Sequence, residues 1–240
     1  MREYGLQLYS VRDITKDDFA GALKAVAEMG YKSVETAGFF GNSAEDVKAM
    51  LAEYGLKLSG THTSFADLDN DLAGTIKYHQ TIGNKNFIVP GAPIKTAADL
   101  ASTVNKFNKY QPILKSEGIN MAFHNHHQEF LPNEDGQIAH EVMQKETDID
   151  FEIDTYWAFV AGLDPVEVIT KLRDRVKVIH LKDGTRDKKG YSLGLGEAPV
   201  TAVHAKAVEI GMDIVVESEG LEPTGLEEVK RCIDFLKGLE

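Results

Sequence analysis

Histidines and acids recur in this sequence at the ends of short β-rich runs, where side chains from different runs could meet. In chain order they are Gln7 and Tyr9; Glu35; His62; His124, Asn125, His126 and His127; Asp154; His180 with Lys182 and Asp183; and Glu217 with Glu219. Charged side chains are rarely buried unless they are paired or bind metal. Carboxylates and imidazoles converging from several runs suit one divalent ion: Mn, Mg, Co or Zn. Taken singly, each residue has a plainer reading. A strand-end acid such as Asp154 can cap the helix that follows it, and a lone histidine is more often a hydrogen-bonded structural group. His79, His140 and His204 fall on expected helices and belong to that structural class. Trp157 reads as packing, although an aromatic ring at a pocket rim also stacks on sugars. The ordered set carries the inference, not any one member.

Such a set needs elements that bring the run ends together. Strands are expected over 4–9, 33–36, 56–62, 86–89, 119–125, 151–155, 176–181 and 214–217. Helices are expected between them, over about 15–29, 43–54, 69–82, 96–116, 138–145, 165–173, 200–210 and 225–236. Ser43, with Asp46 three residues on, has the form of a capping box. Pro165 suits a first helical position, and Pro112 predicts a kink or break in its helix. The stretch from Lys182 to Glu197 reads as the longest loop. These are eight strand-then-helix units in 240 residues, with no linker between them. Strands alternating with helices imply parallel pairing through crossovers, and eight units fit a single closed (β/α)8 TIM barrel spanning 1–240. No GxGxxG or GxxxxGK[ST] motif follows any strand, which counts against an open nucleotide-binding sheet. A barrel gathers its active site at the C-terminal strand ends, where the polar set lies. On the fifth strand the period of two puts His124 and His126 on one face and Asn125 on the other, and either face could point inward.

Composition narrows the classes. Lys and Arg number 26 against 38 Asp and Glu, a formal charge of −12. That balance argues against gripping nucleic acid by bulk charge. Cys232 stands alone, so an internal disulfide and a cysteine-based metal cluster are ruled out. Its helix makes it a small core residue. No run reaches the ~18 apolar residues of a membrane span, and Met1 to Tyr4 lead into the first strand with no signal-peptide core. A cytoplasmic location is the expectation.

The segments Phe123-His124-Asn125-His126, Ile153-Asp154-Thr155, His180-Leu181-Lys182-Asp183 and Val216-Glu217-Ser218-Glu219 resemble the signature strand ends of the sugar phosphate isomerase/epimerase family, within the xylose-isomerase-like barrels. Glu35 and His62 match its second and third strand ends. The resemblance implies one divalent metal held from strands five to eight, with Asp154, His180 and Glu217 as three ligands and His124 at the first position. It implies a small sugar or polyol substrate, no nucleic acid or membrane partner, and admits a homo-oligomer. Glu217 would abstract the proton α to a carbonyl, with His124 or Glu35 serving the opposite face. Gln7, His62, His126, Trp157, Lys182 and Arg186 would contact the substrate, the last two making the pocket locally cationic.

The first ligand departs from the family pattern, because the epimerases have Glu where this chain has His124. An imidazole there can bind metal but removes one of the two carboxylates of a symmetric epimerisation. The His-x-His at this point is similar to the inosose dehydratase branch, whose members eliminate water from a keto-cyclitol. The expected function is therefore a metal-dependent isomerase or epimerase of a sugar, keto-sugar or sugar phosphate, with a lyase as the alternative. An apurinic-endonuclease-like enzyme and a non-catalytic sugar-binding barrel are weaker alternatives.

Overall fold

The apolar runs form strands because alternate residues can be buried on both sides, against helices outside and against each other inside. The computed structural model describes residues 2–239, so Met1 and Glu240 of the expected span lie outside the described residues. The strands are β1 Gly5–Gln7, β2 Ser33–Thr36, β3 Lys57–His62, β4 Asn86–Val89, β5 Asn120–His124, β6 Asp150–Asp154, β7 Val176–Leu181 and β8 Asp213–Val216. All pair in parallel, and β1 closes against β8 to complete a (β/α)8 barrel. Phe123, Phe151, Ile153, Ile179 and Leu181 face outward into the helix layer, in one continuous core. The alternate positions turn inward, and this puts His124, Glu152, Asp154 and His180 inside the barrel.

Local chemistry sets the helix starts. Ser43 Oγ accepts from Asp46 N–H at 3.1 Å and Thr96 Oγ1 from Asp99 N–H at 3.1 Å. The first long helix begins later than expected, at Phe19–Met29, because Asp18 caps it at Gly21 N–H. Residues 8–15 instead form two short helical turns above β1. The expected 69–82 helix is two helices, Phe65–Asn70 and Leu72–Thr81, broken at Asp71, which caps the second. The helix Ala97–Ser116 runs through Pro112 unbroken. A short helix absent from the sequence reading, Thr155–Val160, starts directly at the end of β6.

The 182–197 loop is more ordered than its composition suggests. It contains a small antiparallel hairpin pairing Asp183–Gly184 with Gly190–Tyr191. Leu193 N–H bonds Cys232 Sγ at 3.4 Å, and burial pushes that thiol up to about 12. Among the described residues no helix is long and apolar enough to cross a membrane.

The three helical histidines are structural. His204 meets the Tyr4 hydroxyl at 2.9 Å, and His79 meets Asn84 Nδ2 at 3.0 Å. His140 is sandwiched between Phe130 and Phe151, with ring centroids 4.5 and 4.6 Å away. Burial, reinforced by the charge of Arg175, lowers His140 to about 3. The unfolded chain protonates this residue near 6.5, so its contribution to stability is complete above that pH and is lost as the pH falls toward 3. Between pH 7 and pH 5 the wild type should lose about 2 kcal/mol more than His140→Phe, which keeps the stacked ring but cannot titrate. Urea melts of both proteins at the two pH values measure the difference, and equal losses would refute this account.

Candidate active site

At the C-terminal mouth of the barrel, β5, β6, β7 and the residue following β8 deliver His124, Asp154, His180 and Glu217 to one place. One donor atom from each lies within 4.8 Å of the others. Backbone register explains part of this, since Asp154 pairs directly with His180 across β6 and β7. A second group, His62, His124, Glu152 and His180, meets the same 4.8 Å criterion one layer deeper. Glu152 and Asp154 are two residues apart on β6 and so share its inner face. Glu35 reaches the same layer because Gly60 on the neighbouring strand leaves room, for a Cβ there would sit 3.1 Å from Glu35 Oε2.

His180 joins the two layers. Its Nε2 lies 2.8 Å from Glu35 Oε1 and its Nδ1 lies 3.3 Å from Glu217 Oε2. His62 Nε2 lies 2.8 Å from Glu152 Oε2 and 3.1 Å from Glu35 Oε1. Gln7 Nε2 also donates to Glu35 Oε1. Burial disfavours charge on both imidazoles, but the carboxylates outweigh it. His62 is raised to about 9 by Glu35 and Glu152, and His180 is driven well above its ordinary value by Glu152 and Glu35. Glu152 is raised to about 8 by burial and by the charge of Glu35. His124 goes the other way: burial and the charges of His180 and His62 hold it neutral.

Lys182 anchors the upper layer. Its ammonium donates to Glu217 Oε2 at 3.2 Å and to Glu219 Oε1, and lies 3.6 Å from Asp154 Oδ2. It also sits 4.7 Å from the centroid of the Trp157 ring. Burial works to raise the Glu217 carboxyl, but Lys182 and His180 hold it well below the ordinary carboxylate range, so it is ionised. Asp154 does two jobs. Its Oδ1 accepts from Trp157 N–H at 2.9 Å, capping Thr155–Val160, while Oδ2 faces the cluster. Asn125 faces away from the cluster and staples β5 to β6, accepting from Asp154 N–H at 3.1 Å and donating to Asp154 O at 3.2 Å. Several buried atoms have no hydrogen-bond partner among the described residues, including both ring nitrogens of His124 and Oδ2 of Asp154.

Above the cluster opens a cavity of about 900 Å³. His62, His124, His126 and Glu217 form its floor, and Tyr9, Phe39 and Tyr78 contribute to its walls. A family profile described as xylose isomerase-like TIM barrel matches residues 23–239. This chain belongs to that family.

Solved structures of other proteins show the same architecture. A sugar phosphate isomerase/epimerase from Parabacteroides distasonis ATCC 8503 superposes with a TM-score of 0.85 at 28% identity, covering 99% of this chain and 98% of that one. A D-allulose 3-epimerase from Methylomonas sp., solved with D-allulose, shares the fold at TM-score 0.74 and 16% identity, covering 99% and 97% of the two chains. An inosose dehydratase from Geobacillus kaustophilus (strain HTA426) is 25% identical over 195 residues. That match takes in 69% of this chain and 62% of the relative, so under two thirds of the relative's length is represented.

Within this xylose isomerase-like barrel, the residues singled out from the sequence divide into three groups. His62, His124, His126 and Glu217 line the cavity, and Asp154 and His180 stand just beneath it. Gln7, Glu35 and Lys182 are sealed below or beside it by their own hydrogen bonds, and Trp157 is buried beneath Lys182. Arg186 is elsewhere: its guanidinium stacks 3.9 Å from the Phe159 ring centroid and donates to Phe159 O at 2.8 Å. The expected cationic lining is therefore absent, because both cations are consumed by protein partners. Glu152 was missed, although its place two residues before Asp154 was the available signal. Glu129, a buried acid whose Oε2 accepts from His126 N–H at 2.9 Å, had no sequence signal beyond its charge.

Asp183 was grouped with the site by position, but its role is to shape the loop. Its Oδ1 accepts from Gly184 N–H at 2.8 Å and Ala198 N–H at 3.1 Å, and its Oδ2 from Gly194 N–H at 2.8 Å and Gly196 N–H at 3.0 Å. A Cβ on Gly196 would fall 2.2 Å from that carboxylate, which explains the glycine. Asp183→Asn should forfeit two of these bonds and weaken the loop by about 3 kcal/mol. Hydrogen exchange at the amides of 194–198 should accelerate on the order of a hundredfold, and unchanged protection would show that the loop is held by something else.

Proposed function

We propose that the protein is a divalent-metal-dependent isomerase or epimerase that abstracts a proton α to the carbonyl of a sugar. The observation that carries this reading is the convergence of His124, Asp154, His180 and Glu217 beneath the cavity, with buried donor atoms of His124 and Asp154 left unpartnered. Two carboxylates and two imidazoles are a donor set suited to Mn, Co, Zn or Mg. These four residues would hold the ion, His180 as the neutral imidazole once metal binding has displaced its proton. When bound, the metal supplies polarisation of the substrate carbonyl and its neighbouring hydroxyl, making the intervening C–H acidic.

The chain's own residues do the rest. Glu217, kept ionised by Lys182 and lining the cavity, accepts the α-proton. His126 and His124 stand on the same cavity as uncharged imidazoles able to handle the second proton. Glu35 supports them from below, because its bonds to Gln7, His62 and His180 keep it off the cavity surface. His62 and Glu152 fix the orientation of His180 through the shared carboxylate layer.

A second reading, a lyase on a keto-sugar or keto-cyclitol, is favoured by one observation. The acid–base pair offered to the substrate is a carboxylate and an imidazole, not two carboxylates. A base for the α-proton and an acid for a departing hydroxyl are what elimination needs. The similarity to an inosose dehydratase supports the same reading.

Two measurements test the assignment. Asp154→Asn should leave the fold intact and lower bound metal by at least about tenfold in elemental analysis; full occupancy would remove Asp154 from the ligand set. Glu217→Gln should slow the exchange of substrate α-protons with D₂O by about a thousandfold, as followed by NMR. Exchange at the wild-type rate would place the base elsewhere. In the same spectra, a retained molecular formula identifies an isomerase and loss of water a lyase.

A further inference from the structure

The cavity is larger and differently charged than a monosaccharide phosphate requires. Its volume of about 900 Å³ lies near the top of the range for small-molecule sites. Besides Glu217, His126 and His62, its lining includes residues of the helices Phe65–Asn70 and Leu72–Thr81, and that part of the cavity is the side lobe. Tyr9, Phe39 and Tyr78 give this lobe aromatic faces, and Asp67, Asp71 and Thr75 give it polar ones. Tyr9 is 46% exposed, and the Phe39 and Tyr78 rings lie against each other at 45° with centroids 4.6 Å apart.

Proteins hold phosphate with Lys or Arg, or with free N–H groups at a helix start. Neither is on offer here. Among the described residues, none that lines the cavity is Lys or Arg, whereas Asp67, Asp71, Glu217 and Glu219 all do. The nearby cations are committed: Lys182 to carboxylates, Arg186 to Phe159, and Arg12 to the carbonyls of Tyr9 and Glu219 at 2.9 Å each. The helix starts facing the lobe already hold built-in anions. Asp71 Oδ1 accepts from Gly74 N–H at 2.9 Å, and Asp67 Oδ2 accepts from Ser64 N–H at 3.2 Å. A phosphate in the lobe would meet carboxylates where it needs donors. Sugar hydroxyls have the opposite demand: they donate to carboxylates, and the C–H faces of their rings pack on aromatic ones.

We propose that the substrate is an uncharged glycoside, with a keto-sugar ring over Glu217 and His126 and a second neutral ring in the lobe formed by Tyr9, Phe39, Tyr78, Asp67 and Asp71. This rests on the proposed function for the position of the reacting ring, and it excludes a sugar phosphate as the preferred substrate.

The test uses the manganese-loaded protein and three probes: fructose, fructose 6-phosphate and the keto-disaccharide lactulose. Calorimetry measures binding, and NMR in D₂O measures α-proton exchange. Lactulose should bind on the order of tenfold more tightly than fructose, and fructose 6-phosphate more weakly than fructose. Tighter binding of fructose 6-phosphate than of fructose, lactulose no tighter than fructose, or no binding by any probe would each overturn the proposal. In the double variant Asp67→Asn, Asp71→Asn, the Asp71 cap is retained because Asn also caps, and the amide oxygen at 67 can still accept from Ser64 N–H. Its preference should move toward fructose 6-phosphate by on the order of tenfold, and an unmoved ratio would refute the electrostatic exclusion. The two levels of the argument fail separately. Tight lactulose binding without exchange from any probe would retain the lobe and discard proton abstraction, whereas exchange of fructose 6-phosphate alone would do the reverse.

Discussion

The imidazole of His180, held between Glu35 below and Glu217 above, is the constraint on which the mouth of the barrel depends. Four carboxylates are buried around it, Glu35, Glu152, Asp154 and Glu217, all in a region where an unpaired charge is costly. Each is tolerated only because another member of the network faces it. His62 spans Glu35 and Glu152, and Lys182 spans Asp154, Glu217 and Glu219. Such a network contributes little net stability, which comes instead from the outward layer of Phe, Ile and Leu against the helices. What the network does is leave specific atoms without partners. Both ring nitrogens of His124 and one oxygen each of Asp154, Glu35 and Glu152 are among the buried atoms that find no hydrogen-bond partner.

The barrel was legible because its signal is repetitive. Strands such as 86–89 and 176–181 were bounded to the residue, since β-branched apolar runs end sharply at Pro or at a charged residue. The site was legible as a set of strand ends, but not as a set of side-chain directions. Period two left two choices on β5, and only the packing shows His124 and His126 turned toward the cavity and Asn125 stapling β6. Glu152 and Asp183 show the two ways position misleads. One lies inside the strand and still faces the site, and the other lies at the strand end and serves the backbone. Arg186 was misplaced for a related reason: sequence shows that a cation lies in a loop, whereas an aromatic ring and a carbonyl in space determine where it points.

His124 on β5 sets the chemical character of the mouth without bearing on the architecture. Chains with 28% and 16% identity superpose over nearly their full length, so the barrel tolerates wide variation in sequence. At the mouth, burial among charged imidazoles keeps His124 neutral beside the ionised Glu217, so an imidazole and a carboxylate stand together there. The family therefore defines the scaffold, and the residue types at the mouth define the reaction.

The folded 182–197 loop lies across the one thiol of the chain, with Leu193 N–H directed at Cys232 Sγ. A buried thiol with a raised pKa does not react, because the thiolate is the reactive form. Cys232 can therefore be alkylated only while the loop and its helix are apart. The barrel carries an intrinsic clock: the rate at which a thiol reagent modifies Cys232 counts the openings of the segment that Asp183 holds shut, with no probe introduced.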